Sequence, residues 1–221
     1  MKEQMLQLAQ ANMTETAASA GIDGADAKRR LIVAIATGII AHADELTALD
    51  AAIGDGDHGH NMKRGFEAVL NDVEALSAAQ WPDLLRGVGT RLVMKVGGAS
   101  GPLYGTFFMA LGKDFPTAPS HAGMANALSA AVAAVKARGK SDVGQKTMID
   151  VLAPAVHAFV EGRGLDVISK AAAHAAEATI PMQAIRGRAS FLGERSIGHM
   201  DPGARSSSLI IGIVCDELGA I

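Results

Sequence analysis

Apolar residues recur at intervals of three and four along most of this chain, which is the period of an amphipathic helix. In the clearest stretch, residues 26–43, the side chains of Leu31, Ile32, Ile35 and Ile39 share one face. The pattern predicts eight core helices, at about 26–43, 58–76, 81–97, 103–111, 121–138, 146–161, 165–180 and 204–218. In a β-strand, apolar and polar residues alternate with a period of two, and no such alternation is sustained anywhere in the sequence. The predicted fold class is therefore all-α.

Short connections between helices of similar length predict antiparallel neighbours. Four polar, glycine-bearing stretches precede the second, fourth, sixth and eighth helices, at 49–57, 97–102, 138–147 and 187–203. In an up-and-down array, alternate loops lie at the same end. The pattern therefore predicts one functional site, built from all four loops.

Residues 1–24 are predicted to form an N-terminal extension, and residues 25–221 the domain. The extension reads as a short helix with Met5, Leu8 and Met13 on one side. It is either an arm that docks on a partner or a frayed terminus. The apolar residues in it do not distinguish these two interpretations.

The composition narrows the class of protein. Of 221 residues, 49% are hydrophobic but only 4% aromatic, which favours closely packed helices with aliphatic cores. With a net charge of −3, the chain lacks the excess of basic residues that is typical of nucleic-acid-binding proteins. No apolar run in it is long enough to span a bilayer. The one cysteine, Cys215, fits a buried thiol in a reducing cytoplasm, which is the predicted location.

Candidate chemistry is concentrated in residues 49–66, where Asp50, Asp55 and Asp57 lie among glycines. Carboxylates this close repel one another unless a cation lies between them, and a hard divalent ion with oxygen ligands is the natural candidate. The alternative is a solvated turn whose aspartates cap helices. A helix begins at His58, and a helix N-terminus attracts phosphate. Magnesium could bridge the carboxylates to a nucleotide phosphate, so the residues predict a metal–nucleotide site.

Three familiar motifs fail here. The glycines at 54, 56 and 59 match the dinucleotide fingerprint, but a helical pattern precedes them and aspartates would oppose a bare phosphate. An EF-hand that starts at Asp55 would have Phe66 at its twelfth position, where glutamate is needed. Residues 139–141 end like a P-loop, but Ala134 stands in place of the first glycine.

The loop at 97–102 has two interpretations. Glycine pairs between helices usually terminate the first helix. Here two glycines, Ser100 and a new helix start also describe a backbone that could wrap a phosphate. The residues favour both equally.

Four ordered stretches resemble the nucleotide-binding L subunits (DhaL) of dihydroxyacetone kinases, a domain that also forms the C-terminal half of single-chain dihydroxyacetone kinases. They read IGDGDHGHNM at 53–62, VGGASGPLYGT at 96–106, GQKTM at 144–148 and GRASFLGERSIGHMDPGA at 187–204. The resemblance extends from about residue 26 to the end. It implies an antiparallel eight-helix barrel with nucleotide at one end.

The resemblance also implies the site residues. Asp50, Asp55 and Asp57 would hold two Mg²⁺ ions that bridge the phosphates of ADP or ATP. The remaining nucleotide-binding positions would be His58, Gly59, His60 (through its backbone), Asn61, Ala99, Ser100, Gly139, Met148, Arg188, Asp201, Pro202 and Gly203. Gly139 and Met148 would lie near adenine and ribose. Arg188 is the candidate catalytic residue, neutralising charge on the phosphate or the transition state, and a structural salt bridge is its alternative.

The implied activity is phosphoryl transfer to a small ketose, typically dihydroxyacetone, held on a histidine of a separate K subunit. The chain would be half an enzyme, in a homodimer or a hetero-oligomer with K, and the general base would come from the partner. In one mode, ADP is a bound cofactor that is rephosphorylated by the M subunit of the phosphotransferase system. In the other, ATP exchanges freely, as in kinases of dihydroxyacetone or tetrulose. A free-standing chain favours the first mode.

Two rival functions stay open. The chain could be a Mg–ADP module that signals nucleotide state to a regulator, or a metal-dependent hydrolase that uses the aspartates without a nucleotide.

Overall fold

The regular elements are all helical in the computed structural model, which describes residues 23–118 and 120–220. The α-helices are α1 (Ala25–Ala41), α2 (Ala43–Ile53), α3 (His58–Asn71), α4 (Val73–Ala78), α5 (Trp81–Lys95), α6 (Ser100–Asp114), α7 (His121–Gly139), α8 (Ile149–Val160), α9 (Leu165–Ala178) and α10 (Pro202–Gly219). A 3₁₀ segment spans Arg188–Ser196, with a kink at Gly193, where the backbone is not helical. Neither described range contains a strand, and the all-α prediction is confirmed. Apart from its last two residues, the predicted extension at 1–24 lies outside the described residues.

The predicted helix boundaries need three corrections. The stretch after residue 43 is not a loop, since α2 follows α1 with a bend of 52° and carries Asp50 within it. The helix predicted at 58–76 breaks at Asp72 into α3 and α4. The helix predicted from residue 146 begins at Ile149, because Lys146 has a positive φ of 60° that a helix cannot include.

Side-chain caps fix two of the starts. Ser120 Oγ accepts a hydrogen bond from the Gly123 amide at the start of α7, and Asp201 Oδ2 accepts one from Ala204 at the start of α10. Pro82 and Pro202 occupy the first turns of α5 and α10, where a missing N–H leaves no hydrogen bond unmade.

The long helices pack in a closed order. Following the contacts, α1 packs on α3, α3 on α5, and then each helix on the next as far as α10, which returns to α1. The short helix α2 covers α3 and α10, and α4 covers α1 and α5. This order supports the eight-helix barrel, which stays a prediction in its detail.

The main core lies between α1, α3 and α5 to α8. Its fully buried side chains include Ile39, Met62, Phe66, Leu92 and Ile149. A second apolar cluster joins α8, α9 and α10 and contains the buried Cys215, as expected from its apolar surroundings in the sequence. Among the described residues no single helix is long and apolar enough to cross a bilayer, although the bent pair α1–α2 passes by length and composition.

Candidate functional site

All four polar loops line one cavity of about 380 Å³. Of the residues predicted for the site, the cavity wall includes Asp50, Asp55, Asp57, His58, Ala99, Ser100, Gly139, Met148, Arg188, Asp201, Pro202 and Gly203. These residues are spread over sequence positions 50 to 203, so only the folded chain brings them together. The expectation that alternate loops share one end is met at this cavity.

Three aspartates form a cluster in the cavity wall. Asp50 extends from the last turn of α2, Asp55 lies in the turn that follows, and Asp57 immediately precedes α3. One carboxylate oxygen from each lies within 4.8 Å of the others. Gly56 makes the turn between them possible with a φ of 71°, a conformation that other residues rarely adopt. Three converging hard oxygen donors suit Mg²⁺, so the residues present fit the metal that the family resemblance implies.

Asp50 also sets the direction of α3. Its Oδ2 accepts hydrogen bonds from the Asp57 amide (2.8 Å) and the His58 amide (3.1 Å), two amides at the start of that helix. Its Oδ1 accepts none from the described residues. The buried carboxylate therefore caps a helix through one oxygen and leaves the other available to a cation.

Arg188 connects the 3₁₀ segment to this cluster. Its Nη1 lies 2.5 Å from Asp55 Oδ2, and both side chains are solvent-exposed in part. An exposed ion pair of this kind adds little stability. The contact does place a guanidinium at the cavity wall, beside the carboxylates, where an anionic ligand would meet it.

The loop at 97–102 follows the end of α5 and contains the start of α6, as its interpretation as a helix junction expects, and phosphate binding by its backbone stays a prediction. Gly98 has a φ of 64°, and α6 starts with Ser100 at the cavity wall. The unpaired amides of a helix's first turn carry partial positive charge. This end of the cavity is therefore suited to an anion.

Lys146 is a site residue that the residue patterns do not single out. Its side chain is buried, and its Nζ donates to the carbonyls of Thr179 (2.7 Å), Met182 (3.1 Å) and His199. Burial lowers the pKa of Lys146. The ammonium ties the 144–148 loop to the chain segments on either side of the 3₁₀ segment. A lysine in a polar loop reads as solvated in the sequence, and only its tertiary contacts reveal this role.

Asp201 lines the cavity at the start of α10. Its Oδ2 accepts a hydrogen bond from the Ala204 amide at 2.7 Å, and its own amide donates to Thr179 Oγ1 at 3.0 Å. Burial raises the pKa of Asp201 to about 7. At pH values below this, the side chain is neutral and does not repel an anionic ligand.

A path of hydrogen-bonded polar side chains runs from the cavity wall, which includes His58 and Tyr104, into the protein interior. His58 Nδ1 is 2.9 Å from Ser100 Oγ, and its Nε2 is 2.9 Å from Ser206 Oγ. Ser206 Oγ is 2.7 Å from the Tyr104 hydroxyl, which is 2.9 Å from Ser207 Oγ. Burial lowers the pKa of His58 and raises the pKa of Tyr104 to about 12. Tyr104 lies within the 96–106 stretch, but the sequence does not pair it with the two α10 serines, because about one hundred positions separate them.

Three predicted residues do not line the cavity. Gly59 packs against α2, where a Cβ atom would clash with the Ala43 carbonyl oxygen. His60 is exposed, and Asn61 Oδ1 accepts a hydrogen bond from Arg64 Nη2 at 2.7 Å. Their predicted contribution to nucleotide binding stays a prediction.

Fold and site together define a class of protein: an all-helical domain with an acidic metal-type cluster and a helix N-terminus on one cavity. Residues 52–216 match the DAK2 domain model, and the chain belongs to the DAK2 domain family.

Its relatives include the ADP-binding subunit DhaL of PEP-dependent dihydroxyacetone kinase 1 from Listeria innocua, 45% identical over 75% of this chain and 82% of that protein. The ADP-binding subunit DhaL of the Escherichia coli PEP-dependent dihydroxyacetone kinase is 41% identical over 74% of this chain and 83% of that protein.

The dihydroxyacetone kinase of C. freundii is similar in structure. Its native form superposes with a TM-score of 0.70 at 26% identity, over 85% of this chain and 34% of that chain. Its complex with AMP-PNP and Mg²⁺ gives a TM-score of 0.67 at 26% identity, over 86% of this chain and 33% of that chain. The chain therefore spans about a third of that enzyme.

Proposed function

We propose that this chain is the nucleotide-holding subunit of a dihydroxyacetone kinase. It would bind ADP or ATP with two Mg²⁺ ions in the cavity. The phosphoryl group would then be transferred to dihydroxyacetone bound on a separate K subunit. Membership of the DAK2 domain family and the relatives named as ADP-binding subunits support this proposal.

The observation that carries the proposal is the position of the three aspartates. They converge in the wall of a cavity that also contains Arg188 and the start of α6. Carboxylates alone would repel a nucleotide, whereas carboxylates with a cation between them attract its phosphates. An aspartate cluster that served only to cap helices would not need a cationic side chain and a second helix start on the same cavity.

Each part of the wall has a role in this account. Asp50, Asp55 and Asp57 would hold the metal, which when bound would neutralise charge on the transferring phosphoryl group. Ser100 and the first amides of α6 would bind phosphate oxygens, and Arg188 would add a positive charge beside them. Positioning and charge neutralisation would account for most of the contribution of this chain to such a reaction.

The proposed partners supply the parts of the reaction that we do not assign to this chain. The sugar and the base that activates it would come from a K subunit. We propose that the chain retains ADP as a cofactor and that a phosphohistidine-carrying M subunit of the phosphotransferase system restores the phosphoryl group. The relatives named as ADP-binding subunits of PEP-dependent kinases favour this mode over freely exchanging ATP.

A coupled assay tests the proposal directly. The purified chain, mixed with a K subunit and dihydroxyacetone, would form dihydroxyacetone phosphate when the phosphotransferase components and phosphoenolpyruvate are supplied. Product formation with ATP alone would instead establish the ATP-dependent mode. No product under either condition, from a chain that binds Mg–ADP, would contradict kinase function and favour a regulatory nucleotide-binding module.

A further inference from the structure

We propose that Tyr104 and Ser206 act through His58 to make the Ser100 hydroxyl a hydrogen-bond donor toward a phosphate oxygen in the cavity. They would be positioning residues, because neither needs to contact the nucleotide. This inference rests on the proposed function, since it concerns how the same cavity binds a phosphate.

The geometry forms one continuous path from the protein interior to the cavity. The successive distances are 2.9 Å from Ser207 Oγ to Tyr104 OH, 2.7 Å to Ser206 Oγ, 2.9 Å to His58 Nε2, and 2.9 Å from His58 Nδ1 to Ser100 Oγ. The first four members are at most 6% exposed, so water does not replace these bonds. His58, Tyr104 and Ser100 all contribute to the cavity wall, and of these three only Ser100 is partly exposed.

The direction of the bonds decides what Ser100 can do. A neutral imidazole carries one proton, so one ring nitrogen of His58 donates and the other accepts. If Nδ1 carries the proton, it donates to Ser100 Oγ, and the Ser100 proton is left to point into the cavity. If Nε2 carries the proton, Ser100 must donate to Nδ1 and offers only lone pairs to the cavity. A phosphate, which has only acceptors, is bound in the first case and repelled in the second.

Tyr104 and Ser206 favour the first arrangement. Ser207 Oγ has Tyr104 as its partner among the described residues, and the Tyr104 hydroxyl lies closer to Ser206 Oγ (2.7 Å) than to the Gly203 carbonyl oxygen (3.3 Å). In the direction that we propose, Ser207 donates to Tyr104 and Tyr104 to Ser206. Ser206 then donates its own proton to His58 Nε2, which in this arrangement carries none. Hydrogen bonds that all donate in one direction polarise and strengthen one another. This series of bonds ends at Ser100, whose proton then points toward the phosphate.

The competing acceptors explain why Tyr104 is needed. Ser206 Oγ is also close to two carbonyl oxygens of its own helix, at Pro202 (3.0 Å) and Gly203 (3.2 Å). A hydroxyl oxygen can accept two hydrogen bonds, so a Ser206 proton directed to Pro202 would still let the oxygen accept from Tyr104 and from Nε2–H of His58. Donation from Tyr104, at 2.7 Å the shortest of the four contacts in this path, makes the Ser206 hydroxyl a stronger donor. His58 Nε2, at 2.9 Å, is nearer to that hydroxyl than either carbonyl oxygen, which favours donation to Nε2.

The first experiment measures the His58 tautomer by long-range ¹H–¹⁵N NMR on the full chain, with and without ADP and magnesium. A His58→Gln variant assigns the signal. We expect the proton on Nδ1 with Mg–ADP present, and a growing Nε2–H population in Tyr104→Phe. A wild-type proton on Nε2 in the Mg–ADP complex, or no response to Tyr104→Phe, would overturn the inference.

The second experiment is a double-mutant cycle on Mg–ADP affinity. Ser100→Ala and Tyr104→Phe should each weaken binding about three- to tenfold, which is the range for losing one hydrogen bond. If Tyr104 acts through the Ser100 hydroxyl, Tyr104→Phe should have less than a twofold effect in the Ser100→Ala background. Full additivity would show a separate, structural role for Tyr104 and would contradict the inference.

Ser206 provides the matched control within the same helix. Ser206→Ala should reproduce the Tyr104→Phe result. Ser208→Ala removes another buried hydroxyl, one that donates to the Arg205 carbonyl at 2.9 Å outside the network, and should leave the tautomer and the affinity unchanged. Equal effects of the two serine variants would overturn the inference. A wild-type chain that does not bind ADP with magnesium would contradict the proposed function instead.

Discussion

At the scale of single residues, the aspartate cluster carries the chemistry proposed for this chain. Asp50 combines two tasks, because one oxygen caps α3 and the other is free of protein donors among the described residues. Asp55 and Asp57 are more exposed and have no such capping bonds to the described residues. Asp55 pairs with Arg188, but helix capping does not explain why three carboxylates converge, and a metal role is the simplest reason for their position.

Replacing Asp57 with asparagine keeps the side-chain shape and removes a charged metal ligand. We expect Asp57→Asn to abolish magnesium-dependent ADP binding, measured by isothermal titration calorimetry with and without Mg²⁺. The helix content by circular dichroism should stay unchanged. Asp44→Asn, an exposed change in the first turn of α2, is the control and should bind as the wild type does. Normal Mg–ADP binding by Asp57→Asn would show that the metal assignment is wrong.

Asp201 gives a pH-dependent prediction. Its folded pKa of about 7 is above the ordinary 3.8, so between these values the folded chain keeps a proton that the unfolded chain has released. The free energy of unfolding should therefore fall as pH rises through this window. Asp201→Asn keeps the helix cap and cannot ionise. The wild type should lose stability relative to Asp201→Asn from about pH 4 to pH 7, as thermal denaturation would measure. A difference that is constant with pH would contradict the buried, raised pKa.

At the scale of elements, α2 and α3 approach so closely that only glycine fits between them. A Cβ atom at Gly59 would clash with the Ala43 carbonyl oxygen and meet the Thr47 amide nitrogen at 2.7 Å, and backbone atoms cannot rotate away as side chains can. The close contact keeps Asp50, on α2, beside the first amides of α3. Gly59 therefore permits the close packing of α2 on α3 that also determines where Asp50 lies in the aspartate cluster.

Gly59→Ala should cost about 3 kcal/mol of stability, because overpacking against backbone forces the two helices apart. Chemical denaturation would measure the loss. Gly24→Ala is the matched control, since a Cβ atom there meets nothing within 4 Å. Equal stability of the two variants would show that α2 and α3 are not packed as described.

Lys146 holds the elements around the second half of the site. Lys146→Met preserves side-chain length but leaves the carbonyls of Thr179, Met182 and His199 without their donor. Relief of the desolvated charge offsets part of this cost, so we expect a net loss of about 2 kcal/mol by chemical denaturation. Lys170→Met, at an exposed ion pair with Asp166, should change stability by less than about 1 kcal/mol. A neutral Lys146→Met would show that the ammonium does not hold these segments.

The helical period in the sequence was sufficient to predict most elements, and it failed where local contacts compete with it. The stretch after residue 43 was mistaken for a loop because Asp44, Glu45, Thr47 and Asp50 interrupt the apolar face. The break at Asp72 and the late start of α8 depend on backbone conformations that periodicity does not report. The segment at 187–203 lacks a helical pattern, since it contains 3₁₀ turns interrupted at Gly193, and only its two ends line the cavity.

At the scale of the whole molecule, the four polar loops meet at one cavity although up to 153 positions separate their members Asp50 and Gly203. The parity of the loops along the chain predicted this convergence. The sequence could not show the buried path from Tyr104 to Ser100, or the carbonyl cage around Lys146. Both are tertiary contacts between polar residues that would be unremarkable on a helix surface or in a loop.

The most direct test of the account is mass spectrometry of the nucleotide that the purified chain carries, before and after extensive dialysis with magnesium present. We expect ADP to remain bound after dialysis at about one molecule per chain, and we expect Asp57→Asn to carry none. Reversible binding of ATP and ADP by an empty chain would keep the site but point to the ATP-dependent mode. A chain that binds neither nucleotide in the presence of magnesium would contradict the central claim that the aspartate cluster holds a metal–nucleotide complex.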